Sequence, residues 1–334
     1  MVWQNEPTAI STIAEKMQVA VSIPTLNRDL AQLKNENYLV TEGSGPGTKY
    51  RINQSKLITF EVNSETYFKD ETDDRKIISS YNREIFDLLA NVPLFSPAQT
   101  VDFESQTETF RKKLKTLSPA SYQREFERLM IELSWKSSQI EGNTYDLLDT
   151  EQLLKYNIPS SSHSAEETTM LLNHKTAIEY IRRNSEHYQM ITPGKIIDIH
   201  SLLIKGLNIE KDIRKRLVRI TGTRYTPPDN QFVIEESVEK LCSLVNQTEN
   251  TFEKAFLAIL LISYIQPFED GNKRTARLLA NAILMSDNRC PLSYRSVNSS
   301  DYKKAILLFY ELNNITSFRE IFLSQYRFAV ENYF

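Results

Sequence analysis

The sequence predicts a mainly α-helical protein with a small α+β domain at its N-terminus. Three observations lead to this prediction. Only 8 of the 334 residues are glycine, which agrees with a chain built mostly of helices. Beyond residue 57, most apolar residues recur with helical spacing. Strand-like alternation is found over residues 38–52 and residues 217–228.

Composition indicates a soluble globular protein. A quarter of the residues are charged, and the formal net charge is −3 at pH 7. This balance gives no overall attraction to nucleic acid. The N-terminus lacks a signal-peptide pattern and no apolar run is long enough to span a bilayer, so we expect a cytoplasmic protein without a membrane partner. Cys242 and Cys290 are too few for a disulfide framework or a zinc site.

Residues 1–56 have the pattern of a small separate domain. A short amphipathic helix over residues 10–17 is followed by a turn at residues 18–21. Ser22 is a candidate N-cap for a second helix, which extends to about residue 37. Two short strands follow, over residues 38–41 and 49–52, and a glycine-rich loop at residues 43–47 lies between them. Helix, turn, helix and β-hairpin in this order resemble a winged-helix domain.

The winged-helix resemblance leaves two functions open for this domain. In the first, residues 22–51 bind DNA, with Thr25, Asn27 and Arg28 facing the major groove. In the second, the domain contacts another protein or a second copy of the chain, as in a homodimer. Acidic and basic side chains nearly balance here, which gives little neutralisation of DNA phosphates. Both functions therefore stay open.

Residues 57–121 are interpreted as a helical linker region, and residues 122–334 as the main domain. Residues 77–90 have a helical pattern. A charged stretch at residues 70–76 and a proline-containing loop at residues 95–102 lie on either side of that pattern. The linker region is therefore expected to be helical but interrupted.

The most informative stretch of the main domain is a polar turn between two apolar segments. Residues 255–265 and residues 278–285 have the length and composition of buried helices. Pro267 cannot continue the first helix, and Gly271 allows a ligand to approach the backbone closely. Asn272 begins the second helix, whose free N–H groups and dipole favour an anion.

Charged side chains follow this turn at a spacing that suits phosphate. Arg274 and Arg277 are three residues apart on one helix face and offer bidentate donors. Asp270 supplies a carboxylate where a Mg²⁺ ion bound to phosphates would need a ligand. We interpret the stretch as a nucleotide-phosphate site. A surface turn with solvated charges is the alternative.

The same stretch resembles the signature of the Fic (Fic/Doc) family, His-Pro-Phe-x-Asp/Glu-Gly-Asn-Gly/Lys-Arg-x-x-Arg. The matching residues, in order, are Pro267, Phe268, Asp270, Gly271, Asn272, Lys273, Arg274 and Arg277. The resemblance implies a Fic-fold helical bundle that binds ATP and Mg²⁺ and transfers AMP to a hydroxyl of a target protein. It implies nucleotide contacts from Gly271, Asn272, Lys273, Arg274 and Arg277. It also implies catalytic roles for Asp270, Asn272 and Arg274, with Asp270 as the metal ligand.

One position departs from the signature. Gln266 stands where the family has the histidine that acts as general base. A carboxamide can hydrogen-bond a hydroxyl, but it cannot accept the hydroxyl proton near neutral pH. His200 lies in a periodic helical segment and is interpreted as a packed histidine rather than a replacement base. We therefore expect an intact phosphate site with impaired transfer.

A second motif, residues 137–142, resembles the inhibitory motif of the Fic family, Ser/Thr-x-x-x-Glu-Gly/Asn. Ser137, Glu141 and Gly142 are the matching residues. The resemblance implies that Glu141 pairs with Arg277 and so competes with a nucleotide phosphate for one guanidinium. A helix that simply ends at Gly142, with Glu141 in solvent, is the alternative.

Residues 217–228, called the flap segment below, interrupt the helical pattern. They read as a strand, a turn and a second extended stretch. By resemblance to Fic proteins, this segment is a small β-hairpin flap over the site, where a target protein docks by strand addition at Ile220, Thr221 and Tyr225. An ordinary surface hairpin is the alternative.

The leading function is therefore a Fic-type protein that binds ATP–Mg²⁺, resembles protein adenylyltransferases and is autoinhibited by Glu141. A nucleotide-sensing transcriptional regulator that binds DNA is the alternative. Removal of AMP from a modified protein and transfer of phosphate rank lower, because both also require a proton acceptor. The target protein and the oligomeric state do not follow from the sequence.

Overall fold

The computed structural model describes residues 7–17 and 21–334 of the chain. Its N-terminal unit comprises, in order, β1 (Thr8–Ala9), α1 (Ile10–Lys16), α2 (Ile23–Asn35), β2 (Leu39–Glu42) and β3 (Lys49–Ile52). The strands form an antiparallel sheet of order β1-β3-β2, in which Leu39 pairs with Ile52 and Glu42 with Lys49. Residues 18–20, which carry most of the turn predicted before Ser22, lie outside the described residues.

Local chemistry explains why this unit forms. Ser22 caps α2, because its side chain accepts a hydrogen bond from the backbone N–H of Thr25. Apolar side chains from α1, α2 and β2 pack into a small core made of Ile13, Leu26, Leu30 and Leu39. The two helices and the hairpin agree with the predicted elements, whereas β1 was not predicted. The resemblance to a winged helix stays a prediction.

The remainder of the chain is helical, so the prediction of a mainly α protein is confirmed. The helices are α3 (Gln54–Thr59), α4 (Ser64–Tyr67), α5 (Ile85–Ala90), α6 (Pro97–Thr116), α7 (Pro119–Ile140), α8 (Leu147–Tyr156), α9 (Ala165–Arg183), α10 (Pro193–Leu203), α11 (Gln231–Gln247), α12 (Thr251–Ile265), α13 (Asn272–Ser286), α14 (Ser299–Leu312) and α15 (Thr316–Asn332). Short 3₁₀ turns occur at Gly45–Gly47 and Ser185–Gln189.

The helix predicted over residues 77–90 is shorter than expected. Only Ile85–Ala90 is helical, and residues 77–80 are extended. Their backbone bonds to distant partners instead, because the N–H of Ile78 donates to the carbonyl oxygen of Glu311 and Ser80 forms a β-bridge with Thr226. Tertiary hydrogen bonds therefore override the local helical pattern in this segment.

The core is organised around α12 and its neighbour α13. Residues 255–265 of α12 are all buried, which fits an apolar segment without a polar face. The adjoining part of α13 is buried from Arg274 to Leu284. Residues from Ile58 onward, including Phe103 and Phe110 of α6, belong to the same apolar cluster. The turn between α12 and α13 is thus held by the most rigid part of the bundle.

No helix in the described part of the chain is both long and apolar enough to cross a membrane.

Two phenylalanines provide a matched test of this core. Phe252 is fully buried and stacks on Phe103 with ring centroids 4.1 Å apart, whereas Phe232 is 77% exposed. We expect Phe252→Ala to lower the free energy of unfolding by about 3–5 kcal/mol, because it leaves a cavity. Phe232→Ala should change it by less than about 0.5 kcal/mol. Urea unfolding followed by circular dichroism measures both, and equal losses would contradict this placement of the core.

Candidate functional site

A cleft of about 490 Å³ opens at the turn between α12 and α13. Four parts of the chain line it: the turn itself, the C-terminal end of α7, the flap segment and one face of α14. The turn contributes residues 266 and 269–274, and the end of α7 contributes Ile140 and Glu141. The cleft therefore brings together the two motifs that the sequence singled out, although they are more than 100 residues apart.

The turn has a fixed shape that does not depend on a ligand. The side-chain amide of Asn272 accepts a hydrogen bond from the Phe268 N–H and donates one to the Phe268 carbonyl, both at 2.8 Å. Asn272, expected to contact nucleotide, thus uses its side chain to hold the loop. Gly271 has φ +79°, and a Cβ atom there would lie 3.4 Å from the ring of His200. A larger residue at position 271 would be strained and crowded.

His200 packs against this turn and contacts its backbone. Its ring stacks on Phe268 with centroids 3.6 Å apart, and its Nε2 atom lies 3.0 Å from the carbonyl oxygen of Asp270. Its Nδ1 atom lies 3.1 Å from the carbonyl oxygen of Lys211. Burial lowers the pKa of His200, so the neutral ring is favoured. His200 does not line the cleft, which agrees with a packing role rather than a role as base.

Arg274 presents unused hydrogen-bond donors at the start of α13. Its side chain is 1% exposed, yet its Nε and Nη1 atoms have no hydrogen-bond partner. Only Nη2 is engaged, at 3.1 Å from the Asp270 carboxylate. Those two atoms are closed off from the cleft, so the guanidinium acts on the cleft mainly through its positive charge. Together with the free N–H groups of the first turn of α13, this arrangement fits a phosphate group.

Arg277 is better satisfied, because two of its three nitrogen atoms are hydrogen-bonded and only Nη1 lacks a partner among the described residues. Its Nε donates to Ser137 Oγ at 2.9 Å, and its Nη2 donates to the Ser137 carbonyl at 2.8 Å and to Glu141 Oε1 at 2.9 Å. The second carboxylate oxygen of Glu141 lies 3.4 Å from Lys273 Nζ. Burial raises the pKa of Glu141, but the charges of Arg277 and Lys273 outweigh it, so that pKa lies below its usual value. The carboxylate is therefore ionised at neutral pH.

Gly142 ends α7 in a way that presents Glu141 to the cleft. The N–H of Gly142 donates to the Gln139 carbonyl, and that of Asn143 to the Ser138 carbonyl, as in a glycine-terminated helix. Gly142 has φ +102°. The structure therefore combines parts of both interpretations of this motif. The helix ends with a glycine, as one interpretation expected, and Glu141 pairs with Arg277 instead of facing solvent, as the other expected.

Asp270 is the cleft carboxylate best placed for a metal ion. Its Oδ1 accepts the Gly271 N–H at 2.6 Å, and its side chain is 63% exposed at the cleft. Among the described residues, no group of three or more His, Cys, Asp or Glu side chains could hold a metal. A divalent ion at Asp270 would therefore take its other ligands from phosphate and water, which is the usual coordination of Mg²⁺ in nucleotide sites.

Gln266 is held by contacts that the sequence did not reveal. The residue has a left-handed backbone conformation at the end of α12, and its Nε2 donates to the Ser263 carbonyl at 2.6 Å. The buried guanidinium of Arg214 donates to the carbonyl oxygens of Gln266 at 2.6 Å and of Pro228 at 2.6 Å. Arg214 therefore satisfies the C-terminal end of α12. Its position after an irregular stretch carried no local signal of this role.

The flap segment differs from the predicted β-hairpin. Within residues 217–228, which the structure describes in full, only Thr226 makes a β-bridge, and the chain turns at Thr221 and Gly222. The extended stretch before this turn has no antiparallel partner strand. Ile220 and Thr221 line the cleft as expected. The flap segment therefore forms a wall of the cleft, as predicted, but it lacks the paired strands of a β-hairpin.

Tyr225 was wrongly expected at the docking edge of the flap. It is 2% exposed, it stacks on Tyr264 with ring centroids 4.7 Å apart, and its hydroxyl donates to the Tyr264 carbonyl. An alternating pattern marks two faces of an extended segment but does not show which face is buried. Tyr225 belongs to the buried face and anchors the flap segment to α12.

One wall of the cleft was missed from the sequence. Tyr302, Ile306 and Tyr310 of α14 line it at intervals of four residues, and Lys303 lies beside them. The Tyr302 ring lies under the guanidinium of Arg277, 5.3 Å from ring centroid to the Cζ atom. No residue of α14 was singled out from the sequence, because a helix face with apolar spacing indicates burial but not what it lines.

Comparison with known proteins finds a family match for the part of the chain that contains the turn and the flap segment. Residues 190–284 match the model of the Fic/DOC family. The chain is 29% identical over 177 residues to the protein adenylyltransferase Fic of Nematostella vectensis, covering 50% of this chain and 40% of that protein. It is 27% identical over 156 residues to a probable protein adenylyltransferase of Aquifex aeolicus, covering 43% of this chain and 47% of that protein. The chain thus spans less than half the length of these curated relatives.

Solved structures show the same fold. The Fic-1 protein of C. elegans (residues 134–508) superposes with a TM-score of 0.63 at 19% identity, over 75% of this chain and 80% of that one. A Fic-domain signalling protein from Bacteroides thetaiotaomicron gives a TM-score of 0.59 at 21% identity, over 69% of this chain and 94% of that one. The predicted Fic-type bundle is confirmed, and residues 190–284 of this chain form a Fic/DOC family domain.

Proposed function

We propose that the chain binds ATP with Mg²⁺ in this cleft and is built to transfer AMP to a hydroxyl of a target protein. The single observation that carries the proposal is the positive charge at the N-terminus of α13, where Lys273 and Arg274 line the cleft beside the first N–H groups of the helix. A polyphosphate supplies the negative charge and the acceptors that these groups favour. The adenylyltransferase names of the relatives support the choice of nucleotide.

Each part of the cleft has a role in this proposal. The backbone around Gly271 and the side chains of Lys273 and Arg274 would hold the phosphates. Asp270 would hold Mg²⁺, which when bound neutralises phosphate charge and orients the leaving pyrophosphate. The cleft wall at Ile220 and Thr221 would contact the target protein. The hydroxyl would attack the α-phosphorus, pyrophosphate would leave, and the hydroxyl proton would need an acceptor.

The proton acceptor is the part that this chain lacks. Gln266 offers an amide, which has no basic nitrogen, and no histidine is among the residues that line the cleft. Loss of a general base typically lowers a rate by about 10²–10⁴-fold. We therefore infer that the chain binds nucleotide but transfers AMP slowly.

The pairing of Glu141 would make the resting state inhibited. Glu141 occupies Nη2 of Arg277 and draws in Lys273, so two cations suited to a terminal phosphate are already neutralised. A phosphate and the Glu141 carboxylate would compete for these donors, and the two negative charges would repel each other in the same site. Removing the carboxylate would therefore favour the nucleotide.

Titration calorimetry with ATP and Mg²⁺ tests binding and inhibition together. We expect Glu141→Gly to bind ATP at least about 10-fold more tightly than the unmodified chain, because Arg277 and Lys273 are released to the phosphates. Glu249→Gly removes an exposed loop glutamate and is the matched control, which should leave affinity unchanged. Absence of ATP binding in all three proteins would refute the phosphate-site proposal, and equal affinity in all three would refute the inhibitory one.

A second experiment tests the missing base. In the Glu141→Gly background, Gln266→His should raise the incorporation of label from α-³²P-ATP into protein by about 10²–10⁴-fold. Gln266→Asn is the control, because it keeps an amide and supplies no base. The label is counted in protein bands over a time course. Equal incorporation by the histidine and asparagine variants would mean that the proton acceptor does not limit transfer.

DNA binding through residues 22–51 is the second candidate function. The observation in its favour is that the outer face of α2 is exposed, with Asn27 and Arg28 toward solvent. The charges offer little support, since Arg28 lies 3.5 Å from Asp29 and Arg51 pairs with Glu42 at 3.0 Å. This candidate therefore ranks below nucleotide binding.

An electrophoretic shift assay decides on the second candidate. If α2 reads bases, the chain should retard a fragment of DNA from upstream of its own coding sequence more strongly than a scrambled fragment, at both 50 and 200 mM salt. Asn27→Ala should reduce this preference, because it removes an amide suited to adenine. Retention that is equal for both fragments, or none at all, would eliminate sequence-specific DNA binding.

A further inference from the structure

A buried ion pair lies directly behind the flap segment. Arg75 and Glu311 are 2.9 Å apart, and their side chains are 6% and 1% exposed. Glu311 is on α14, one face of which lines the cleft, and Arg75 precedes α5; both residues lie outside the Fic/DOC match at residues 190–284. The pair therefore connects two parts of the chain that are distant in sequence.

The guanidinium of Arg75 is shared between the ion pair and the flap. Its Nε donates to Glu311 Oε2 at 3.0 Å, and its Nη2 donates both to Glu311 Oε1 at 2.9 Å and to the carbonyl oxygen of Gly222 at 2.5 Å. Gly222 is at the flap turn and has φ +84°. Because the planar guanidinium is fixed at two points by the carboxylate, the direction of its third hydrogen bond is fixed as well.

Residues 60–80, called the strap below, hold the same flap segment at further points. The hydroxyl of Tyr67 donates to Glu311 Oε2 at 2.7 Å. The Nε of Arg224 donates to the Thr72 carbonyl at 3.2 Å. Beyond the turn, the N–H of Thr226 donates to the carbonyl of Ser79 at 2.9 Å. The flap, which lacks a hairpin ladder of its own, is thus bonded to the strap instead.

We propose that Arg75 is the positioning residue of the flap: its ion pair with Glu311 fixes Gly222 and thereby sets where Ile220 and Thr221 stand on the cleft wall. The residues proposed to bind phosphate belong to another element, the start of α13 and the turn before it. Arg75 therefore acts on the wall where a protein substrate would contact the cleft and leaves the nucleotide contacts unchanged. That consequence rests on the proposed function, whereas the positioning itself does not.

Arg75→Lys separates positioning from folding. A lysine ammonium can pair with Glu311, so no buried charge is left alone, but a single nitrogen cannot reproduce the bidentate fork and the bond to Gly222. We expect amide hydrogen exchange at Tyr225 and Thr226, the flap residues whose N–H groups are hydrogen-bonded, to become about 10-fold faster, with exchange in α13 unchanged. The affinity for ATP–Mg²⁺, measured in the Glu141→Gly background, should stay within about threefold.

Two further variants complete the test. The double variant Arg75→Met with Glu311→Leu removes both charges together, which tends to preserve folding, and it should loosen the flap in the same way. Arg327→Lys alters an arginine that pairs with Asp102 at 2.9 Å on the surface of α15, and it should leave the flap unchanged.

The outcomes are distinct. Flap exchange equal to that of the unmodified chain in both Arg75 variants, or faster exchange spread evenly over flap and bundle, would overturn the positioning role. Faster exchange confined to the flap supports it. A failure of every protein to bind ATP would contradict the proposed function, and the exchange result would still decide on Arg75.

Discussion

The interaction on which the rest of the structure depends is the burial of two arginine side chains at the start of α13. Arg274 and Arg277 are among the most deeply buried large side chains of the protein. A guanidinium in an apolar interior is stable only when carboxylates and hydrogen-bond acceptors surround it. The end of α7 supplies these acceptors to Arg277. Arg274 receives only part of what it needs. The two neighbouring guanidinium groups are therefore satisfied to different degrees, Arg277 by the end of α7 and Arg274 only through Asp270.

The surrounding helices hold this arrangement in place before any ligand arrives. The Asn272 side chain hydrogen-bonds the backbone of Phe268, and the His200 ring packs against Gly271. Arg214 links the end of α12 to Pro228 at the end of the flap segment, because its guanidinium donates to both carbonyl groups. Because these bonds are already made, a phosphate that entered would not have to order the loop, and less binding free energy would be lost to ordering.

The parts of the site that the sequence predicted are those whose chemistry is local. The proline, glycine, asparagine and arginines of the turn each act within a few residues of their own position, so their spacing alone indicates a helix start that favours anions. Ser22 as a helix cap is another local case. Arg75, Arg214 and Glu311 could not be predicted, because each acts on residues far away in the sequence.

The flap segment also depends on residues that are distant in sequence, which limited its prediction. Its extended pattern was recognised, but a hairpin needs a partner strand at the right register, and here the strap provides the hydrogen bonds. Tyr225 was misplaced for a related reason, since the burial of one face depends on α12 and α14 packing against it. Local sequence therefore specified the anion-binding turn well and the cleft walls poorly.

Position 266 lies on a different element from the phosphate site, and this separation has a consequence. The phosphate-binding groups belong to α13 and the loop before it, whereas Gln266 closes α12 and is held by Ser263 and Arg214. The backbone carbonyl of Gln266 is held by Arg214, whereas the bond to Ser263 comes from its side-chain amide. Another side chain at this position would lose the bond to Ser263 and keep the bond to Arg214. Under the proposed function, loss of the base would therefore leave the anion-binding groups of α13 in place, because they are held by a separate set of contacts.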